Sequence, residues 1–121
     1  MLSRIAIFLW LWVAFLVPSF VVAADDYFFK ANELYDQGKF KESVPLYRAA
    51  IDEGRYEPFA WFNLGNALVQ LGRKEVAMVA YKRTVELLPG FVKAWTLLGD
   101  LYYLAEDPGE AIAAYNRALE L

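Results

Sequence analysis

From about residue 26 onward, apolar positions keep the spacing of a helix stripe. Trp61, Leu64, Gly65 and Leu68 fall at i, i+3, i+4 and i+7, and Ala77, Tyr81, Thr84 and Leu88 form a second such stripe. Patterning and punctuation together predict helices over 26–37, 41–53, 59–71, 74–87, 92–105 and 108–120. No strand-like alternation competes. The pattern also recurs every 34 residues. Trp61-Phe62-Asn63-Leu64-Gly65-Asn66-Ala67 with Ala77, Tyr81 and Pro89 is echoed downstream by Trp95, Leu98-Gly99, Tyr102, Ala111, Tyr115 and Ala118. The upstream echo is Tyr27, Ala31, Leu34, Gly38, Phe40, Ser43, Tyr47 and Ala50. A fixed period of this length implies an all-α stack of helical hairpins, each sheltering its neighbour's apolar flank.

Each unit reads as a helix A and a helix B. Gly65 and Ala77 remove bulk where the two cross, as do Ala31 and Ser43 in the first unit and Gly99 and Ala111 in the third. Tyr47, Tyr81 and Tyr115 are expected to fill space between one hairpin and the next. Gly38 and Gly72 occupy A-to-B turns, where a positive φ suits glycine. In the third turn, Asp107-Pro108-Gly109-Glu110 predicts an N-cap, a proline at the first helical position and a reciprocal capping contact from Glu110. Three residues fit the period less well. Lys30 takes a usually apolar place, Thr84 is expected to loosen the seam to the third unit, and Pro45 is expected late in the first turn of its helix.

The bulky aromatic, Leu-Gly pair, small residues and helix-ending proline resemble the tetratricopeptide repeat (TPR) over residues 24–121, in units 24–57, 58–91 and 92–121. The resemblance implies a hairpin solenoid that binds peptides or proteins. A narrower likeness is to periplasmic TPR proteins of the Bat aerotolerance type. It is carried by Phe28, Ala31-Asn32, Tyr35, Gly38, Phe40, Glu53-Gly54 and the Phe62–Ala67 run.

Residues 1–24 read as an address. Arg4 is followed by the unbroken apolar run Ile5–Val17, by Pro18, and by small residues that fit cleavage after Ala23 or Ala24. The alternative is an uncleaved membrane anchor, since Ile5–Ala24 is nearly long enough to span hydrocarbon. Either way the repeats of domain 25–121 are expected outside the cytoplasm, in a bacterial periplasm, because Arg4 stays inside.

Composition narrows the chemistry. With Arg4 set aside, 11 basic side chains face 15 acidic ones, which argues against a nucleic-acid partner. There is no cysteine and no histidine, so thiolate metal sites, lipid attachment at a cleavage cysteine and histidine base catalysis are excluded. Ser43 is the only serine after the leader, and it sits at a packing position. Neither catalytic residues, a metal site nor a cofactor is expected.

Stacked hairpins curve with their A helices on the concave side, so A-helix residues outside the packing stripe should line a groove. These are Phe28, Asn32, Tyr35 and Asp36, then Phe59, Phe62, Asn66, Val69 and Gln70, then Lys93, Thr96, Asp100 and Tyr103. Aromatics with interspersed amides suit a helical or extended peptide. For Phe59 and Phe62, plain inter-helix packing is the other reading. Some TPR domains hold a C-terminal carboxylate in a clamp of cations and asparagines. Asn32, Asn63 and Lys93 match three of its positions, but Phe28 and Leu97 stand where two more cations belong, and no clamp is expected. The expected role is thus an exported, non-catalytic adaptor assembling envelope proteins. The alternative is a scaffold for an exported polysaccharide or cell-wall glycan. The last helix would leave Ala114, Ala118 and Leu119 as an apolar edge able to self-associate.

Overall fold

The computed structural model describes residues 26–121, and the leader or anchor of residues 1–24 lies outside them. Six helices follow one another: α1 (Tyr27–Asp36), α2 (Phe40–Asp52), α3 (Glu57–Gln70), α4 (Lys74–Leu87), α5 (Val92–Leu104) and α6 (Pro108–Leu119). No strand occurs among the described residues. The predicted helices match within two residues at each end. Three hairpins (α1–α2, α3–α4, α5–α6) stack so that each helix packs on its sequence neighbours, and α1 also touches α3.

The stripes explain the packing. Ala31, Val44, Tyr47, Leu64, Ala67, Leu68, Ala77, Tyr81 and Leu98 share one continuous core. The tightest points are the A–B crossings. A Cβ built on Gly65 would stand 2.6 Å from the Tyr81 ring, and one on Gly99 would stand 2.7 Å from the Tyr115 ring. Glycine at these two positions therefore makes room for an aromatic ring. The tyrosines accordingly lie against helix A of their own hairpin, rather than only between hairpins as the sequence suggested.

The three A-to-B turns are built alike. In the first, Gly38 N–H reaches Tyr35 C=O and Lys39 N–H reaches Leu34 C=O; the pattern recurs at Gly72–Arg73 and at Glu106–Asp107. This double closure of the last turn needs a left-handed residue, and φ is +76° at Gly38 and +73° at Gly72. In the third turn Glu106 takes the place at φ +59°, a conformation that costs an L-residue about 1–2 kcal/mol. Asp107 caps α6 by accepting from Glu110 N–H at 3.2 Å, with Pro108 first in the helix. The expected return contact from Glu110 does not form, because Asp107 N–H is already bound to Tyr102 C=O.

Two other expectations are corrected. Helix α2 begins at Phe40, so Pro45 lies in its second turn, on an exposed face where the unpaired carbonyl it leaves can meet water. Thr84 does not loosen its seam: it is fully buried, with its hydroxyl donating to Ala80 C=O at 3.0 Å.

Candidate functional site

The first turns and middles of the A helices form one continuous face. Three hydrogen bonds with the same 15-residue separation organise it. Tyr47 donates to Asn32 Oδ1 at 2.8 Å, Tyr81 to Asn66 Oδ1 at 2.7 Å, and Tyr115 to an Asp100 carboxylate oxygen at 2.6 Å. Each ties helix B to the outer side of its own helix A. A fourth bond crosses between hairpins, as Asn63 Nδ2 donates to Asn32 Oδ1 at 2.9 Å. The equivalent residue in the third unit is Leu97, which cannot make it.

These bonds fix which way the amides point. With Oδ1 of Asn32 and of Asn66 taken by these bonds, the Nδ2 group of each is not sealed from solvent and is the donor left for a ligand. No buried side-chain nitrogen or oxygen among the described residues lacks a partner. Burial pushes the Tyr47 and Tyr81 hydroxyls well above the ordinary tyrosine value, helped by the nearby Tyr35. The Tyr115 hydroxyl is raised as well, chiefly by its bond to Asp100. All three are therefore neutral donors at physiological pH.

The remaining predicted groove residues divide. Phe59 is exposed and meets Phe91 edge-on at 6.1 Å. Phe62 is only 7% exposed, wedged between Tyr81 and Phe91 with ring centroids 5.7 and 4.7 Å away. It is core beneath the face, not a surface contact, because Phe91 at the head of α5 folds over it. Lys93 stretches above the same ring, its ammonium 5.8 Å from the centroid. Phe28 and Tyr35 are half-buried, the first stacked on Tyr56 at 5.0 Å and the second edge-on to Phe40 at 5.0 Å. Val69 is half-buried against the core, while Gln70, Thr96, Asp100 and Tyr103 are exposed. The Thr96 hydroxyl turns back onto Val92 C=O at 3.2 Å.

Sequence reasoning missed Tyr56, Phe91 and the tyrosine–amide pairing. The pairing was readable in principle, since Asn32, Asn66 and Asp100 sit 34 apart and so do the tyrosines. It also missed two apolar notches on the B-helix side. One, of about 350 Å³, lies among Ile51, Trp61, Leu64, Leu68, Val76 and Val79; the other, of about 380 Å³, is its counterpart one period later. They are seams where three helices meet, lined also by charged side chains, Arg48 and Asp52 in the first and Lys82, Glu86, Glu110 and Arg117 in the second. Among the described residues no cluster of three or more acidic side chains could hold a metal ion, and no helix is long and apolar enough to cross a membrane.

A stack of A–B hairpins in one 34-residue register, tied by bonds from tyrosines to two amides and one carboxylate, defines a helical repeat protein of the interaction-module class. Tetratricopeptide repeat models match residues 30–90 and 92–121, and the chain belongs to that family, whose members are in general non-catalytic protein-interaction modules. Among curated relatives, a TPR repeat-containing protein of Methanocaldococcus jannaschii is 30% identical over 76% of this chain, which spans 16% of its length. The Hsp70-Hsp90 organizing protein of Triticum aestivum is 30% identical over 81% of this chain, 17% of its own. The chain thus spans about a sixth of these relatives. Among solved structures, the first TPR of Spaghetti (RPAP3) bound to the HSP90 peptide SRMEEVD is 26% identical, with a TM-score of 0.72, covering 80% of this chain and 79% of that one. A crystal structure of MamA, 23% identical with a TM-score of 0.75 over 78% of this chain and 55% of that one, shares the fold.

Proposed function

We propose that this chain is an exported, non-catalytic adaptor of the cell envelope, of the periplasmic Bat type, that binds a protein segment along its A-helix face. What carries the reading is the pair of amide donors, Asn32 and Asn66, each locked by a buried tyrosine and flanked by Phe59, Tyr35 and Phe28. Fixed donors of this kind bond the carbonyls of a peptide backbone with little ordering loss, while neighbouring rings take its side chains. The bound peptide of the RPAP3 relative supports a peptide occupant. Export rests on the order of Arg4, the apolar run and the small residues before Asp25.

The occupant differs from an acidic C-terminal tail. Lys93 supplies one cation, but Phe28 is stacked on Tyr56 and Leu97 is packed on the core, so a carboxylate would find two of its three expected cations missing. The peptide SRMEEVD should show no saturable binding by calorimetry at concentrations that saturate a clamp-bearing domain. Of the predicted edge, Ala114 is buried, Ala118 half-buried and Leu119 exposed; with the exposed Ile112, Leu119 forms an edge suited to a second copy, which light scattering across a concentration series would register as a rising mass.

Pull-down from an envelope extract tests the main reading. The variant Asn32→Asp/Asn66→Asp keeps the acceptor for each tyrosine, as Asp100 does naturally, but removes both Nδ2 donors. Partner recovery should fall severalfold with little change in melting temperature. Equal recovery contradicts the peptide reading, and retention of carbohydrate in place of protein favours the glycan scaffold.

A further inference from the structure

The heads of the A helices share a feature that the peptide face does not use. Tyr27 and Phe29 in α1, Tyr56 just before α3, and Val92 at the start of α5 are all exposed. They lie along one edge of the stack, where Phe29 meets Tyr56 at 5.6 Å and the turn before α3 adds the exposed charges Asp52, Glu53 and Arg55. Tyr56 is held there in a left-handed conformation at φ +52°, its ring stacked on Phe28. The opposite edge carries the A-to-B turns, with Gln37, Lys39, Arg73, Lys74, Glu106 and Asp107 at the surface; Tyr103 and Leu104 are its apolar exceptions.

The apolar strip coincides with the place where the chain arrives. Ile5–Ala24 is a twenty-residue run without a charge, about the length needed to cross hydrocarbon. It ends three residues before Tyr27, a reach of roughly 11 Å at full extension. If that run occupies a bilayer, Tyr27 is held beside it, and the side chains around Tyr27 decide whether this edge lies down on the headgroup layer or tilts away from it. Tyrosine and tryptophan, apolar in body with a polar tip, are the aromatics enriched at that depth, and Tyr27 and Tyr56 are of that kind, while Phe29 and Val92 add apolar area.

We propose that residues 5–24 are retained as an anchor and that the strip of Tyr27, Phe29, Tyr56 and Val92 rests in the lipid headgroup layer. The stack then stands on its A-helix heads, with the A-to-B turns facing away from the membrane. This surface is independent of the peptide face, so failure of one leaves the other standing.

The natural chain has no cysteine, so single reporters can be placed cleanly. The full 121-residue chain carrying Arg55→Cys or, in a second preparation, Lys74→Cys is labelled with an environment-sensitive fluorophore. It is then reconstituted in phosphatidylethanolamine–phosphatidylglycerol vesicles containing a headgroup nitroxide lipid. The label at position 55 should be quenched at least threefold more than the label at 74. Adding Phe29→Ser and Tyr56→Gly, the latter compatible with the left-handed backbone, should abolish the difference while circular dichroism stays unchanged. Equal quenching at the two positions overturns the proposal. So does shielding of position 55 that appears with protein concentration in detergent and not with lipid, which would mark a protein contact. Mass spectrometry of chain extracted from membranes of expressing cells should find residues 1–24 still attached; a chain starting at Ala24 or Asp25 overturns it too.

Discussion

Single residues carry the register. Gly65→Ala puts a methyl group into the Tyr81 ring, and the fully buried ring has little room to retreat. Overpacking of this kind costs about 1–3 kcal/mol, so urea unfolding should show a lower midpoint. Gly109→Ala, whose new methyl would meet only Asp107 Oδ1 at 3.8 Å, should be close to neutral. Glu106→Gly should go the other way, gaining roughly 1 kcal/mol as the left-handed strain is released. The buried tyrosines predict a pH dependence. Their folded-state pKa lies above the ordinary 10.0, so the stability they lend is complete below pH 10 and lost as pH climbs toward the folded value. Stability measured by urea titration should therefore fall above pH 10, and Tyr81→Phe should flatten that fall. The small residues and their tyrosine partners were legible as a 34-residue echo. Glu106 was not, because nothing about a glutamate announces φ +59°; only the bonding pattern of its two glycine counterparts does.

Among the helices, the seams differ, and the difference is chemical. The first seam has the Asn63–Asn32 bond, whereas the second has Leu97 at the equivalent place. Both Tyr47 and Asn63 donate to the same Asn32 oxygen, so their contributions should be coupled. In a double-mutant cycle, Asn63→Leu should cost about 0.5–1.5 kcal/mol alone and be non-additive with Tyr47→Phe. Paired with Tyr115→Phe on the far hairpin it should be additive; coupling of equal size there would show that the bond is not the cause. Helix positions were readable from stripe and punctuation alone, with errors no larger than two residues. The capping of α6 was only half readable, since sequence spacing suggests a Glu110 return contact but cannot show that Asp107 N–H is taken by Tyr102.

At the scale of the whole molecule, the face that sequence drew from left-over residues is narrower than expected. Phe62 sinks into the core because Phe91, from the next hairpin, closes over it, a long-range contact that no local pattern reveals. What remains is a row of positions 34 apart: Asn32, Asn66 and Asp100, each held by a tyrosine from behind. The two notches on the B-helix side are mostly apolar seams with charged side chains among their lining. Peptides selected from a library on the full chain, titrated into ¹⁵N-labelled protein, discriminate between the two sides. The side-chain amide signals of Asn32 and Asn66 should shift on binding, and that of Asn63, already bonded to Asn32, should move less. Shifts confined to Val76, Val79 and Trp61, with all three asparagine amides still, would contradict the account.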